Sequence, residues 1–376
     1  MDKRKKVISG VFFIGIMGLT FYALFYGKDP AQIWSAVKKM QPLCLAAAMA
    51  LALSFVALEG MMIWYLLTRI ERETDTAGKK RKLTGRKEFA NTVGNERIVN
   101  GAFPWKNLSW KGLRQCISYS FTGFFYSGLT PSASGGQPMQ LYHMCKDQHK
   151  ASDASVVLMT VAVMYKFVLV VIGSVLLLFW RQLLQRYLGG YFLLYILGML
   201  LNLLLVVLLI LVMLRPVVIQ KAGRGLLRGL VAVRLLKNPT AWEAKLSGFV
   251  DSYQTAVDFL RKYPGHLWII GIVTFLQRST LFVLTYMVYL GLGQQGTGAL
   301  TVILLQAAVY ITVDMLPLPG SQGISELVYT TAFSQIFSAD TLLPSTLISR
   351  GINFYFLMLV SLVTALRQGR CHRRGC

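Results

Sequence analysis

Six ionisable side chains stand inside stretches that are otherwise apolar: Glu59, Lys166, Arg278, Asp314, Glu326 and Arg350. Facing hydrocarbon at the centre of a bilayer, each would cost roughly 2.5–3.5 kcal/mol. Together they would cost on the order of 15–20 kcal/mol, more than the ~5–15 kcal/mol that keeps a typical protein folded. They must therefore face the interior, pair, or line water. A guanidinium offers a fork that matches phosphate, and an ammonium offers a compact charge. Lys166, Arg278 and Arg350 could thus receive a lipid phosphate, while Glu59, Asp314 and Glu326 balance them or carry protons. The plainer reading is structural, in which pairs of these residues lock helices together. Glu59 and Arg350 stand near enough to span ends to snorkel. Gln277, Gln306, Asn202 and Asn353 add neutral polar groups.

Two broken stretches frame these charges. The first is Leu129-Thr130-Pro131-Ser132-Ala133-Ser134-Gly135-Gly136-Gln137-Pro138, and the second is Leu316-Pro317-Leu318-Pro319-Gly320-Ser321-Gln322-Gly323-Ile324-Ser325-Glu326. Proline removes a backbone donor, and Gly135-Gly136 permits turns closed to other residues. Lipid cannot satisfy freed N–H and C=O groups, so such backbone is tolerated only inside protein or along a wet cavity. The two stretches read as the paired tips of one polar site, to which Thr130, Pro131, Ser134, Gly135, Gly136, Gln137, Pro319, Gly320, Ser321 and Gly323 belong. Ser134, Tyr142, His143, Asp314 and Glu326 are the candidates for nucleophile or general base. They form no recognisable triad or metal set, and His143 reads as a polar surface residue. The expectation is no catalytic residue, no metal and no cofactor.

The elements that must position these groups follow from composition. The chain has 376 residues, 55% of them hydrophobic and only 15% charged, with a formal net charge of +23. A soluble domain carries about 25% charged residues. Several apolar runs reach the ~20 residues that cross a bilayer. The cations cluster beside those runs, which points to the positive-inside rule and anionic headgroups rather than nucleic acid. Cys44, Cys116, Cys145, Cys371 and Cys376 lack zinc spacing and read as free thiols.

Full spans are expected at about Val7–Tyr26, Pro42–Leu67, Ala154–Phe179, Gly189–Leu214, Leu267–Leu290 and Leu343–Leu366. Residues 28–41 read as a short surface helix, 68–114 as a basic cytoplasmic loop, and 215–262 as basic amphipathic helices on the inner membrane surface. Residues 115–130 cover only about 24 Å at 1.5 Å per residue, less than the ~30 Å hydrocarbon core. Residues 299–316 are similarly short. Each short segment followed by a break predicts a re-entrant hairpin, one from each face. The fold class is thus an all-α polytopic membrane protein: about six full transmembrane helices plus two re-entrant hairpins, both termini cytoplasmic. The arrangement fits an inverted repeat with its site near the midplane.

Both broken motifs, and the order of spans over nearly the whole chain, resemble the membrane domain of lysylphosphatidylglycerol synthases/flippases, the bacterial multiple peptide resistance factor family. Many members carry Glu where this chain has Gln137, and Gly where it has Ser321. The resemblance implies movement of an anionic or aminoacylated phospholipid from inner to outer leaflet of a bacterial plasma membrane, with resistance to cationic peptides. A separate synthase protein and a second copy of the chain are the open alternatives for a protein partner, and nucleic acid is not expected as one. Full-length relatives carry a C-terminal domain that transfers lysine to phosphatidylglycerol. Only Arg367–Cys376 follow the last span, so no lysyltransferase activity is expected of this polypeptide alone. The alternatives are an intramembrane lipid-modifying enzyme or a membrane subunit of such an enzyme. No P-loop motif is present, so any drive would come from a gradient.

Overall fold

A computed structural model describes residues 40–84, 110–130, 133–215, 239–316 and 323–371, with positions 35, 38, 220, 221, 224 and 225. The expected first span Val7–Tyr26, most of the surface helix at 28–41 and much of the basic 68–114 stretch lie outside these residues. So do Pro131, Pro319, Gly320 and Ser321. The described residues contain helices and no strand. Five of the helical segments are long and apolar enough to cross a membrane.

Helix α1 (Pro42–Thr84) starts where expected but continues past Leu67. Its proline sits at the first helical position, where no backbone donor is needed. The extension persists because its charges find partners. Glu71 accepts from His149 Nδ1 at 2.7 Å, and Asp75 from Lys150 Nζ at 2.5 Å. Thr74 Oγ1 donates to the buried Asp153 at 2.8 Å.

Helices α2 (Trp110–Leu129) and α3 (Gly136–Lys146) form the first hairpin. Helix α4 (Ala151–Phe179) is followed by the short α5 (Arg181–Leu188) and by α6 (Phe192–Leu214). Helix α6 is apolar almost all round, and Leu193, Leu200, Leu204 and Leu208 stand exposed. A helix of that kind belongs in lipid. Helix α7 (Pro239–Lys262) is the main described part of the expected surface helices. It does more than lie on a surface: Tyr253, Ala256, Val257 and Leu260 are buried in a core shared with Ile63, Trp64 and Val157.

Helix α8 (Gly265–Gly291) precedes the second hairpin, α9 (Ala299–Val313) and α10 (Ile324–Phe333). The last span is α11 (Ala339–Arg350), a π-helical turn Gly351–Phe356 and α12 (Leu357–Cys371). Pro344 sits inside α11. The π-turn is the kind of local widening that recurs at functional sites.

Contacts sort the loops into two ends. At one end Gln41 N donates to Gly291 O at 3.0 Å, Tyr289 stacks edge-on against Phe337, and Arg186 donates to Gln335. At the other end His149 meets Glu71, Tyr65 meets His266 at 2.7 Å, and Arg261 donates to Leu214 O. Hairpin α2–α3 begins and ends at this second end, where Tyr119 Oη donates to Asp147. Hairpin α9–α10 begins and ends at the first. The series span–hairpin–span occurs twice, as α1 to α4 and as α8 to α12, traversed in opposite senses. Glycine allows the closest approaches. A Cβ on Gly60 would stand 2.5 Å from Ile117 Cα, and one on Gly198 2.6 Å from Ile311 O. Small residues play this role at membrane helix interfaces.

Candidate functional site

Described residues of both hairpins line one cavity of about 240 Å³. Ser127, Gly128 and Ala133 reach it from the first hairpin. Asp314, Leu316, Ser325 and Glu326 reach it from the second. The last span supplies Thr346, Ser349, Arg350, Asn353 and Phe354, spaced so that one helical face points inward. Aromatic walls come from Phe55, Phe124, Tyr165, Tyr310 and Tyr329.

The first turn is closed locally. Thr130 Oγ1 donates to Tyr126 O at 2.9 Å and accepts from Gly135 N at 2.8 Å. Ala133 has φ 54°, a left-handed conformation that costs a residue with a Cβ. Gly136 lies against Ser127 Oγ and Gly123 O, so a side chain there would collide. Gly323 has φ 79°, a left-handed conformation in which glycine is at ease. Ser134, Gln137 and Gly323 are exposed. Ala133 lines the cavity, whereas Ser134, Gln137 and Gly323 are not among its lining residues.

Of the six charges, Asp314, Glu326 and Arg350 line the cavity. Lys166 and Arg278, expected to receive a lipid phosphate, are not among the lining residues and stand behind them. Lys166 Nζ donates to Asp314 Oδ2 at 2.5 Å, with the two side chains 12% and 7% exposed. Tyr165 Oη donates to the other oxygen, Asp314 Oδ1, and lies 3.1 Å from Tyr310 Oη. Arg278 Nη1 donates to Tyr310 Oη at 3.3 Å and Nη2 to Gln277 Oε1 at 3.4 Å. Its guanidinium carbon lies 3.7 Å from the centre of the Tyr165 ring and 4.8 Å from that of Phe55. Arg278 thus holds the aromatic wall by cation–π contact. Gln277 Nε2 donates to Phe55 O at 2.9 Å. Glu59 accepts from Gln140 Nε2 at 2.7 Å, which ties α1 to the first hairpin. Arg350 and Glu326, both lining the cavity, carry opposite charges that attract each other.

Gln140, Tyr165, Tyr310 and Tyr329 are the polar members that sequence reasoning passed over. A tyrosine buried in a span needs a partner for its hydroxyl, and that is the signal that would have found the tyrosines. His143 is buried rather than on the surface, and Tyr142 is exposed. Neither Ser134 nor Tyr142 lines the cavity. Outside the spans, the Glu71 carboxylate raises the His149 pKa by hydrogen bonding, and Asp75 raises that of Lys150 in the same way. Among the described residues Cys44, Cys116 and Cys145 are free thiols.

Two comparisons bear on identity. A family model described as the lysylphosphatidylglycerol synthase TM region matches residues 110–361. No curated protein matches the chain.

Proposed function

The chain belongs to the lysylphosphatidylglycerol synthase transmembrane-region family, and from that premise we propose that it moves a phospholipid of the aminoacyl-phosphatidylglycerol type between the leaflets of a bacterial plasma membrane. In this reading the two hairpins are re-entrant, dip from opposite faces, and meet at the midplane as the halves of an inverted repeat. The headgroup enters the cavity between their turns while the acyl tails stay in the bilayer. Arg350 takes the phosphate. Lys166 and Arg278 act from behind, holding Asp314, Tyr165 and Tyr310 in place. Both termini and the basic 68–114 stretch lie in the cytoplasm. Delivery of aminoacylated lipid to the outer leaflet lowers its negative charge and repels cationic peptides.

The observation that carries this reading is the cavity lined by residues of both hairpins and by Arg350, Glu326 and Asp314. The intramembrane-enzyme reading has less support, because, of its candidates, Asp314 and Glu326 line that cavity but Ser134 and Tyr142 do not. A membrane partner for a separate lysyltransferase, or a second copy of the chain, is compatible with the same site.

The test is a leaflet-resolved lipid assay in reconstituted vesicles. One charge-assisted contact is worth about 1.5–3 kcal/mol, so Arg350→Gln should slow crossing by about ten-fold or more at matched folding. Wild-type vesicles that move lipid no faster than protein-free ones would refute the translocation reading.

A further inference from the structure

Behind the cavity, polar groups run from one hairpin to the other. On the first hairpin, Gln140 of α3 lies over Gly123 of α2, where a Cβ would stand 2.3 Å from the amide Nε2. That Nε2 donates to Glu59 on α1 at 2.7 Å. Gln277 and Arg278 of α8 also act on the Glu59 carboxyl. Arg278 in turn reaches Tyr310, which lies against Tyr165, the donor to Asp314 at the end of α9. The charges along this path are not held alike. Lys166 and Asp314 form a close pair at 2.5 Å. Glu59 and Arg278 form no ion pair among the described residues. The donor to Glu59 is a neutral amide, and Arg278, 6% exposed, makes hydrogen bonds of 3.3 and 3.4 Å to neutral groups. Helices α2, α4 and α7 and the π-turn also pack against α1, and no charged group among their described residues acts on Glu59. An ionisable side chain inside a span marks a path for ions or protons. Glu59 is half-buried rather than sealed in the core. A carboxyl accepts from an amide N–H whether ionised or protonated, so Gln140 keeps Glu59 in place in both states.

We propose that Glu59 binds a proton and that Arg278 passes its charge state to the cavity wall, which couples lipid movement to a proton gradient. The proton adds to a carboxylate oxygen of Glu59 and gives a neutral acid. The negative charge that draws Arg278 towards α1 is then gone. The guanidinium is drawn instead to the side of Tyr310, Tyr165 and Asp314, where its 3.3 Å hydrogen bond to Tyr310 has room to tighten. Asp314, kept by the Lys166 ammonium and the Tyr165 hydroxyl, is the fixed end of this relay. The inference rests on the translocation reading and names what drives the same site.

The first readout needs no lipid movement. Infrared difference spectra of the detergent-solubilised full chain, taken across a pH titration, should show the C=O stretch of a protonated carboxyl. That band should vanish in Glu59→Gln, whose amide can still accept from Gln140, and return at a changed frequency in Glu59→Asp. Spectra that Glu59→Gln leaves unchanged overturn the inference, whether or not the protein moves lipid. The second readout is coupling. The full chain is reconstituted in phosphatidylcholine vesicles with tail-labelled lysylphosphatidylglycerol, the membrane potential is clamped with potassium and valinomycin, and dithionite quenching reads the leaflets under an imposed pH difference. With one proton per lipid, each pH unit should displace the wild-type leaflet ratio about ten-fold. Enrichment on the alkaline side marks co-transport and enrichment on the acid side marks exchange, and either supports the inference. Arg278→Lys keeps the charge but not the fork between Glu59 and Tyr310, so it should keep the infrared band and bring the ratio back towards one. A wild-type displacement in Arg278→Lys would overturn the relay. Lipid that crosses in wild type but settles at a ratio of one under the gradient overturns the coupling while translocation stands. No crossing above protein-free vesicles removes the translocation reading and the coupling with it.

Discussion

Removing one member of the Lys166–Asp314 pair should cost far more than removing both. At 2.5 Å and an effective dielectric of about 20, the direct attraction is about 7 kcal/mol. Desolvating each ion costs several kcal/mol, so the pair is close to neutral overall. Leaving one charge alone forfeits the attraction and keeps the desolvation, about 3–5 kcal/mol. The two single changes are not equivalent. Asp314→Leu leaves the Lys166 ammonium facing the Met315 thioether at 3.2 Å, a weak acceptor. Lys166→Met leaves Asp314 still holding the Tyr165 hydroxyl, a contact to a charged group worth about 1.5–3 kcal/mol. Asp314→Leu should therefore cost about 3–5 kcal/mol, Lys166→Met about 2–3, and the double variant no more than about 1. Tyr165 keeps Tyr310 as a partner throughout. The assay is a double-mutant cycle on unfolding in mixed micelles, read by tryptophan fluorescence. Additive costs, single costs below about 1 kcal/mol, or the reverse order would refute the argument.

Three further outcomes follow from contacts already described. Gly198→Ala puts a Cβ against the Ile311 carbonyl at 2.6 Å, so α6 and α9 must separate; the apparent melting point should fall by the equivalent of about 1–3 kcal/mol, while Gly271→Ala, which meets nothing within 4 Å, should not lower it. Gln140→Leu strips Glu59 of its 2.7 Å donor and should loosen the first hairpin, seen as faster proteolysis or hydrogen exchange at 133–146. His149 has a raised pKa in the folded protein because Glu71 accepts its hydrogen bond. Its stabilising contribution is fully present below about pH 6.5 and is lost as pH rises through the raised folded value. The melting point of wild type relative to His149→Gln should decline across that window, and a flat difference would exclude the contact.

Long apolar runs made α4, α6 and α8 readable from the sequence, because only a helix satisfies its backbone within one segment in lipid. The two breaks were readable for the converse reason. The continuation of α1 beyond Leu67 was hidden, because Glu71, Thr74 and Asp75 look like loop residues until His149, Lys150 and Asp153 arrive from far along the chain. The choice between Arg278 and Arg350 was hidden as well. Depth along a helix follows from position in the sequence, but the direction a side chain faces depends on neighbours such as Tyr165 and Phe55. Lys166, its side chain 12% exposed, and the buried Arg278 stand behind the wall, and among the described residues Arg350, read as a residue near a span end, is the cation that lines the cavity.

The ion pair behind the cavity also sets a timetable for biogenesis. Lys166 and its carboxylate are separated by 148 positions. At about 5–20 residues per second, the ribosome needs roughly 7–30 s to deliver the second after the first. Through that interval the nascent α4 carries an uncompensated cation towards the bilayer. It must wait near the headgroups, or be sheltered by the insertion machinery, until the second hairpin emerges.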